Sequence, residues 1–138
     1  MSAYKEHPTT LTDALCLTVA LKAMGYVIER YDEPQTLYDY HGHERPQKAN
    51  VIIRREFTGI GASNDIGFLK GADGTFTAII SAYDRNVKFN DAWMGEVKQA
   101  YSEQREIAMA RRKGYIFQGR EVIDTNKGHQ VRLVFAAR

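Results

Sequence analysis

Apolar residues recur at helical spacing in the first quarter of the chain. Thr10 and Asp13 fit the Ser/Thr-x-x-acid pattern of a helix N-terminus. The apolar positions that follow, three and four residues apart, are Ala14, Leu17, Leu21 and Met24. Gly25 comes next and suits a left-handed helix end, because glycine has no Cβ to clash there. The pattern predicts one amphipathic helix.

A second, longer helix is predicted from Asn90 or Asp91, either of which can cap it, to Lys113. Gly114 is placed to end this helix. Its apolar stripe comprises Met94, Val97, Tyr101, Gln104 and Ala108. Both stripes are expected to pack on one face of a sheet.

Short apolar runs predict strands around the two helices. The runs cover residues 26–28, 51–57, 66–69, 75–82, 115–123 and 131–135. Residues 32–48 are polar and irregular, and we expect a long loop or a short, frayed hairpin there. The candidates for the layer opposite the helices are Val51, Ile53, Ile66, Phe68, Phe76, Ile80, Val131 and Leu133.

The order of these elements predicts an α+β fold, roughly (β)αββββαββ. Two helices would pack on a mainly antiparallel sheet as a two-layer sandwich. The length of 138 residues, with 43% hydrophobic and 26% charged residues, predicts a single domain, 1–138.

Composition and motifs narrow the classes of function. Cys16, the only cysteine, excludes an intramolecular disulfide and a cysteine-only zinc site. The start of the chain has no signal-like basic and apolar segments, and no apolar run is long enough for a membrane span. We therefore expect a protein without a membrane partner that is cytoplasmic, or that lies in a compartment like the plastid stroma if it comes from an organelle. HExxH, Walker, CxxC and Gly-x-Ser-x-Gly motifs are absent from the sequence, and we expect neither a cofactor nor an ordinary hydrolase.

His41 and His43 form the one metal-like pattern. On an extended segment, alternate side chains project to the same side, so both imidazoles could reach one metal ion. Asp39, Glu44 or His7 would have to complete the ligand set. The alternative is an ordinary solvated loop.

One flank of the second helix is basic. Lys98, Arg105 and Arg112 recur every seven residues, and Arg120 on the following strand can extend the edge. The formal net charge is only +2, which is small for a dedicated nucleic-acid binder. The edge predicts contact with an acidic protein partner or with phosphates.

Arg54 and Arg55 follow an apolar strand core and would point to opposite faces if the strand continued. One guanidinium would then lie beside apolar neighbours and need a carboxylate partner. Asp65, on the next predicted strand, is the candidate for a structural ion pair; a substrate clamp is the alternative.

Longer phrases of the chain support a family resemblance. The phrases are LTVALKAMGYVIER, YHGHERPQKANVIIRR, NDIGFLKGADGTFTAIISAYDR, AYSEQREIAMARRKGYIFQGREV and GHQVRLVFAAR. Together they resemble the hypothetical chloroplast reading frame thirty-five family, an uncharacterised family of plastids, cyanobacteria and other bacteria. The resemblance implies a short strand at Ala3-Tyr4-Lys5 and transfers no catalytic residue. It also implies an accessory role beside a AAA-type ATPase.

Three functions follow as hypotheses. The first is a non-enzymatic adaptor that binds a protein partner, with an ATPase as the named candidate, through the basic edge. The second is a nucleic-acid-binding accessory protein that uses the same edge and neighbouring aromatic residues. A metal-binding protein using His41 and His43 is the third.

Overall fold

The computed structural model describes residues 3–137, and in that range it shows two main helices, one short helix and seven strands. In chain order they are β1 (Tyr4–Pro8), α1 (Ala14–Ala23), β2 (Glu29–Tyr38), β3 (Glu44–Ile53), β4 (Ile66–Lys70), β5 (Phe76–Ser81), α2 (Ala82–Val87), α3 (Asp91–Arg112), β6 (Tyr115–Thr125) and β7 (Gly128–Ala137). The predicted α+β class is confirmed. The short helix α2 is an addition to the predicted order, and the strand predicted at residues 26–28 is wrong, because β2 begins only at Glu29.

Local capping chemistry determines where the main helices begin and end. Asp13 is the N-cap of α1, and its Oδ1 accepts a hydrogen bond from the Cys16 N–H at 2.9 Å, so the helix begins later than Thr10. Asn90 caps α3 in the same way, with its Oδ1 3.0 Å from the Trp93 N–H. Gly25 and Gly114 follow α1 and α3 with φ of 101° and 87°, as predicted. None of the helices within residues 3–137 has the length and apolarity needed to span a bilayer.

An antiparallel sheet of five strands, in the order β1-β5-β4-β3-β2, organises the part of the chain before Ser102. Its pairs Val51–Phe68 and Phe68–Ala78 place apolar side chains on one face. The Phe68 ring lies 6.4 Å from that of Trp93 in α3. The predicted layer residues Val51, Ile53, Ile66, Phe68, Phe76 and Ile80 are all fully buried, as are Leu17 and Leu21 of α1.

Residues 32–48, expected to form a long loop or a short, frayed hairpin, belong instead to a long hairpin of β2 and β3. The pairing runs from Glu29–Ile52 to Tyr38–Glu44. Its register shifts between Arg30 and Gln35 and again between Thr36 and Tyr38. These shifts break the alternation of apolar and polar residues by which a strand is recognised in sequence.

The end of this hairpin folds over the second face of the sheet. Leu37 and Ala49 lie directly above Gly67 of β4, so closely that a Cβ at Gly67 would collide with the Ala49 methyl group. The Arg45 guanidinium lies 5.6 Å from the ring centroid of Tyr4, on the strand at the opposite edge. A second buried cluster results, formed by Leu37, Ala49, Ile52 and Ile79.

The chain divides into two compact units, one ending at Tyr101 and one beginning at Ser102. In the second unit, β6 and β7 form a separate antiparallel ribbon that starts at Tyr115–Ala137. Val131 and Leu133 pair within this ribbon and are half-buried, so their assignment to the main layer is wrong. A single domain would unfold as one cooperative unit, so the predicted single domain, 1–138, stays a prediction until unfolding is measured.

Candidate interaction surfaces

The four residues of the predicted basic edge differ in setting. Lys98 is exposed and belongs to the first unit, whereas the other three belong to the second. Arg112 is exposed and Arg105 is half-buried. The Arg120 guanidinium forms an ion pair with Glu103, which raises the pKa of Arg120 above its ordinary value. Much of the Arg120 charge is therefore compensated within the chain, and the use of the edge for binding stays a prediction.

A groove of about 320 Å³ lies entirely within the second unit. It is lined by Glu106, Met109, Ala110, Lys113, Tyr115 and Phe135. Met109 and Tyr115 are 47% and 45% exposed. Large apolar side chains that remain accessible in a concave site are typical of a binding surface. We call this groove, with the residues that line it, the helix–ribbon groove.

Exposed cations follow one another at the end of the helix that lines the helix–ribbon groove. Arg111, Arg112 and Lys113 are consecutive, exposed residues at the end of α3, and Lys113 also lines the groove. Cations at this position are favoured by the negative end of the helix dipole. They also give an apolar groove a preference for a partner with carboxylates beside its apolar side chains.

The ribbon itself carries exposed apolar side chains. Ile116, Val122 and Ile123 are 48%, 55% and 38% exposed, and all of residues 121–130 are exposed. The rings of Phe117 and Phe135 pack across the strands, with centroids 5.7 Å apart. A ribbon of two strands gains little stability alone in water, so its apolar surface is suited to association.

His41 and His43 lie in the exposed turn between β2 and β3, with ring centroids 5.7 Å apart. The buried Asp39 carboxylate organises this turn, because its Oδ1 accepts the backbone N–H of both histidines at 3.0 Å. Within residues 3–137, no group of three or more His, Cys, Asp or Glu side chains is arranged to hold a metal ion. Metal binding by the two imidazoles of His41 and His43 stays a prediction.

Asp65 bonds to both of the predicted arginines, to the side chain of Arg54 and to the backbone of Arg55. β3 ends at Ile53 and Arg55–Phe57 form a 3₁₀ turn, so the premise of a continuing strand is wrong. Asp65 Oδ2 lies 2.9 Å from Arg54 Nη1, while Oδ1 accepts the backbone N–H of Arg55 at 2.8 Å. Burial lowers the pKa of Arg54, but hydrogen bonds to Glu29 and Asp65 hold it above its ordinary value.

A second polar cluster, missed in the sequence, lies where β4 begins and β5 ends. Asp84 is completely buried, and its carboxylate accepts hydrogen bonds from the Ser63 and Ser81 hydroxyls, each at 2.7 Å. It also accepts from Asn64 through both the backbone N–H, at 3.0 Å, and the side-chain amide, at 3.1 Å. Ser81 caps α2 by accepting the Asp84 N–H at 3.0 Å. The Ser-x-x-acid spacing was the signal available in the sequence.

The sequence pattern of the family described as "Protein of unknown function (DUF1257)" matches residues 20–134. The chain belongs to this family. No curated protein and no solved structure matches the chain. The DUF1257 match extends across the boundary at Ser102, so both compact units carry residues of the family.

Proposed function

We propose that this DUF1257 protein is a non-enzymatic interaction module that binds a protein partner through its second compact unit. The observation that carries the proposal is the helix–ribbon groove, which exposes Met109 and Tyr115 in a concave site. A thioether side chain adapts to different apolar shapes, and a tyrosine offers both a flat apolar ring and a hydroxyl. Both properties favour recognition of another protein chain.

The chemistry of the groove suggests the kind of segment that it binds. One apolar side chain of the partner would enter between Met109 and Tyr115. Carboxylates on the same segment would lie near Arg111, Arg112 and Lys113, which are exposed in the free protein. We therefore propose an acidic, amphipathic segment as the ligand.

A AAA-type ATPase is the candidate partner that carries this segment. Its support is the resemblance to the reading frame thirty-five family. Nucleic acid is the competing ligand, because the same three cations can also attract phosphates. The two ligands differ in what the apolar groove contributes: a protein segment uses it, whereas phosphate contacts do not.

Affinity purification with mass spectrometry identifies the partner, and matched variants then test the surface. Met109→Glu places a charge in the groove, and a second variant reverses Arg111, Arg112 and Lys113 to glutamate. Lys48→Glu, at an exposed position in the first unit, is the control. We expect both test variants to weaken binding of the purified partner at least tenfold and the control to bind like the wild type. Equal binding by all four proteins would contradict the proposal.

Charge reversal at Lys98, Arg105 and Arg112 tests the predicted basic edge separately. Fluorescence titration with labelled single-stranded DNA at two salt concentrations addresses the competing ligand. Binding to phosphates must weaken steeply with salt, because bound counterions are released. DNA binding that is steeply salt-dependent, together with partner binding that is unaffected by Met109→Glu, would favour nucleic acid and overturn the groove as a protein site.

A further inference from the structure

A cleft of about 780 Å³ lies beside β1, which is the edge strand of the five-stranded sheet. It is lined by Lys5, Glu6 and His7 of β1, by Arg85 and Asn86 of α2, and by Asn90 and Asp91 at the start of α3. Lys5 and His7 pair with Ile80 and Ala78, so their side chains are on the helix-covered face of the sheet. The cleft therefore continues this face beyond the last strand.

The backbone of β1 has hydrogen-bonding groups at its outer edge. The Ala82 N–H donates to the Ala3 carbonyl at 2.9 Å, and the Thr9 N–H donates to the Phe76 carbonyl at 3.0 Å. The odd-numbered residues of β1 thus bond to β5, and alternation turns the N–H and C=O groups of Tyr4 and Glu6 outward. In the described range, 3–137, no strand pairs with this edge.

Two nitrogen atoms of the described residues that line the cleft are buried without a hydrogen-bond partner. Arg85 Nη2 pairs with Asp91, but Arg85 Nη1 is buried without a hydrogen-bond partner among the described residues. His7 Nε2 is in the same situation. Burial, and then the nearby Arg85 charge, lower the pKa of His7, which favours a neutral imidazole. The exposed Lys5 ammonium and the half-buried Arg85 guanidinium are donors for a carboxylate placed in the cleft.

We propose that β1 is a docking edge that adds an extended, acidic segment of a protein partner as a sixth strand. The backbone of that segment would pair with Tyr4 and Glu6. An Asp or Glu side chain on its helix-facing side would accept hydrogen bonds from Arg85 and Lys5. This site lies in the first unit and does not depend on the helix–ribbon groove.

A second copy of this chain does not suit the edge. In the antiparallel registers that pair most of two β1 strands, either Glu6 lies opposite Glu6 or Lys5 lies opposite Lys5. Like charges directly opposite each other destabilise a strand pair. Because Glu6 and Lys5 oppose self-pairing, the edge stays available to a different segment that places acidic residues opposite Lys5.

The test uses the full chain, labelled with ¹⁵N, and two synthetic peptides. One is acetyl-Thr-Asp-Thr-Asp-Thr-Asp-Thr-amide, and the other has lysine in place of aspartate. We expect the aspartate peptide to shift the amide signals of Tyr4, Glu6 and residues 86–92 and to slow hydrogen exchange at Glu6. The lysine peptide should bind at least tenfold more weakly. Equal binding of both peptides, or shifts confined to other parts of the chain, would overturn the proposal.

Glu6→Pro is the most selective variant, because it removes an N–H that points outward and leaves the bonds between β1 and β5 intact. We expect an unchanged thermal unfolding midpoint and at least tenfold weaker binding of the aspartate peptide. Arg85→Gln should weaken binding of the same peptide and leaves the backbone unchanged. Arg30→Gln, on the opposite edge strand, is the control. Unchanged affinity in folded Glu6→Pro and in Arg85→Gln would refute strand addition here.

Discussion

At the scale of single residues, Gly67 is required by the folding of the β2–β3 hairpin over the sheet. Replacement by alanine would bring a new methyl group against Ala49 and within 3.2 Å of a Leu37 methyl group. We predict that Gly67→Ala lowers the free energy of unfolding by about 1–3 kcal/mol, because backbone must shift to make room. Gly61→Ala, where a Cβ would meet nothing within 4 Å, is the control for urea unfolding. Equal stabilities of the two variants would contradict the close contact.

A second prediction at this scale concerns acid. The Arg54 guanidinium donates to Glu29 at 3.0 Å and holds the pKa of Glu29 below its ordinary value of 4.5. A carboxyl group whose pKa is lowered in the folded state stabilises the fold above its unfolded pKa and loses that effect as the pH falls through the folded pKa. We predict that the free energy of unfolding of Glu29→Gln falls less steeply than that of the wild type from about pH 5 to about pH 3.

Urea midpoints measured across that interval check the acid prediction. The control is Glu33→Gln, at an exposed position on the same strand. If the urea midpoints of the wild type and of Glu29→Gln changed with pH in parallel, the contact between Glu29 and Arg54 would not contribute to the pH dependence of stability.

At the scale of elements, α1 illustrates how one face of a helix anchors it to the first unit. Leu17 and Leu21 are fully buried, whereas Leu15 is 56% exposed. We predict that Leu17→Ala or Leu21→Ala destabilises the protein by about 2–5 kcal/mol, the combined cost of lost burial and a cavity. Leu15→Ala should change stability by less than about 0.5 kcal/mol. Urea unfolding distinguishes these values, and similar losses at all three positions would mean that the helix does not pack by its stripe.

The elements that could be predicted from the sequence are those whose burial repeats at a regular interval. Leu17 and Leu21 of α1 have the spacing of a helix, and Asn90 and Gly114 bound α3 by capping chemistry that depends only on neighbours in sequence. β2 could not be found in this way. It is largely exposed, and its pairing with β3 is irregular, so its position is determined by contacts with residues far along the chain.

The residues of the candidate sites also differ in whether neighbours in sequence or distant contacts determine their setting. Exposed cations at the end of α3 are visible in the sequence because charge and helix position are both local properties. Burial of Asp84 is not, because a carboxylate in a polar stretch looks solvated until Ser63, Asn64 and Ser81 are brought around it. The helix–ribbon groove was also missed, since Met109 and Phe135 are 26 positions apart and meet only through the fold.

At the scale of the whole molecule, the two compact units differ in how their backbones are protected. β3, β4 and β5 are central strands with many fully buried side chains, whereas residues 121–130 of the ribbon are all exposed. We predict that amides in residues 121–130 exchange with solvent through local opening, at least tenfold faster than those of β4 after correction for intrinsic rates. Native-state hydrogen exchange monitored by NMR measures both. Equal protection, with the same dependence on urea, would instead show the single cooperative domain predicted from chain length.

The aromatic cluster around Trp93 gives this molecule a built-in optical label. Trp93 is the only tryptophan of the chain and is 5% exposed. Its indole N–H donates to the Tyr26 hydroxyl at 3.0 Å, and the Phe89 ring lies edge-on at 4.7 Å. Tryptophan emission therefore originates wholly in the first unit, and loss of this environment shifts it toward longer wavelengths. We therefore expect a ligand bound at β1, beside the start of the helix that carries Trp93, to change the tryptophan emission, and a ligand bound at the helix–ribbon groove to leave it unchanged.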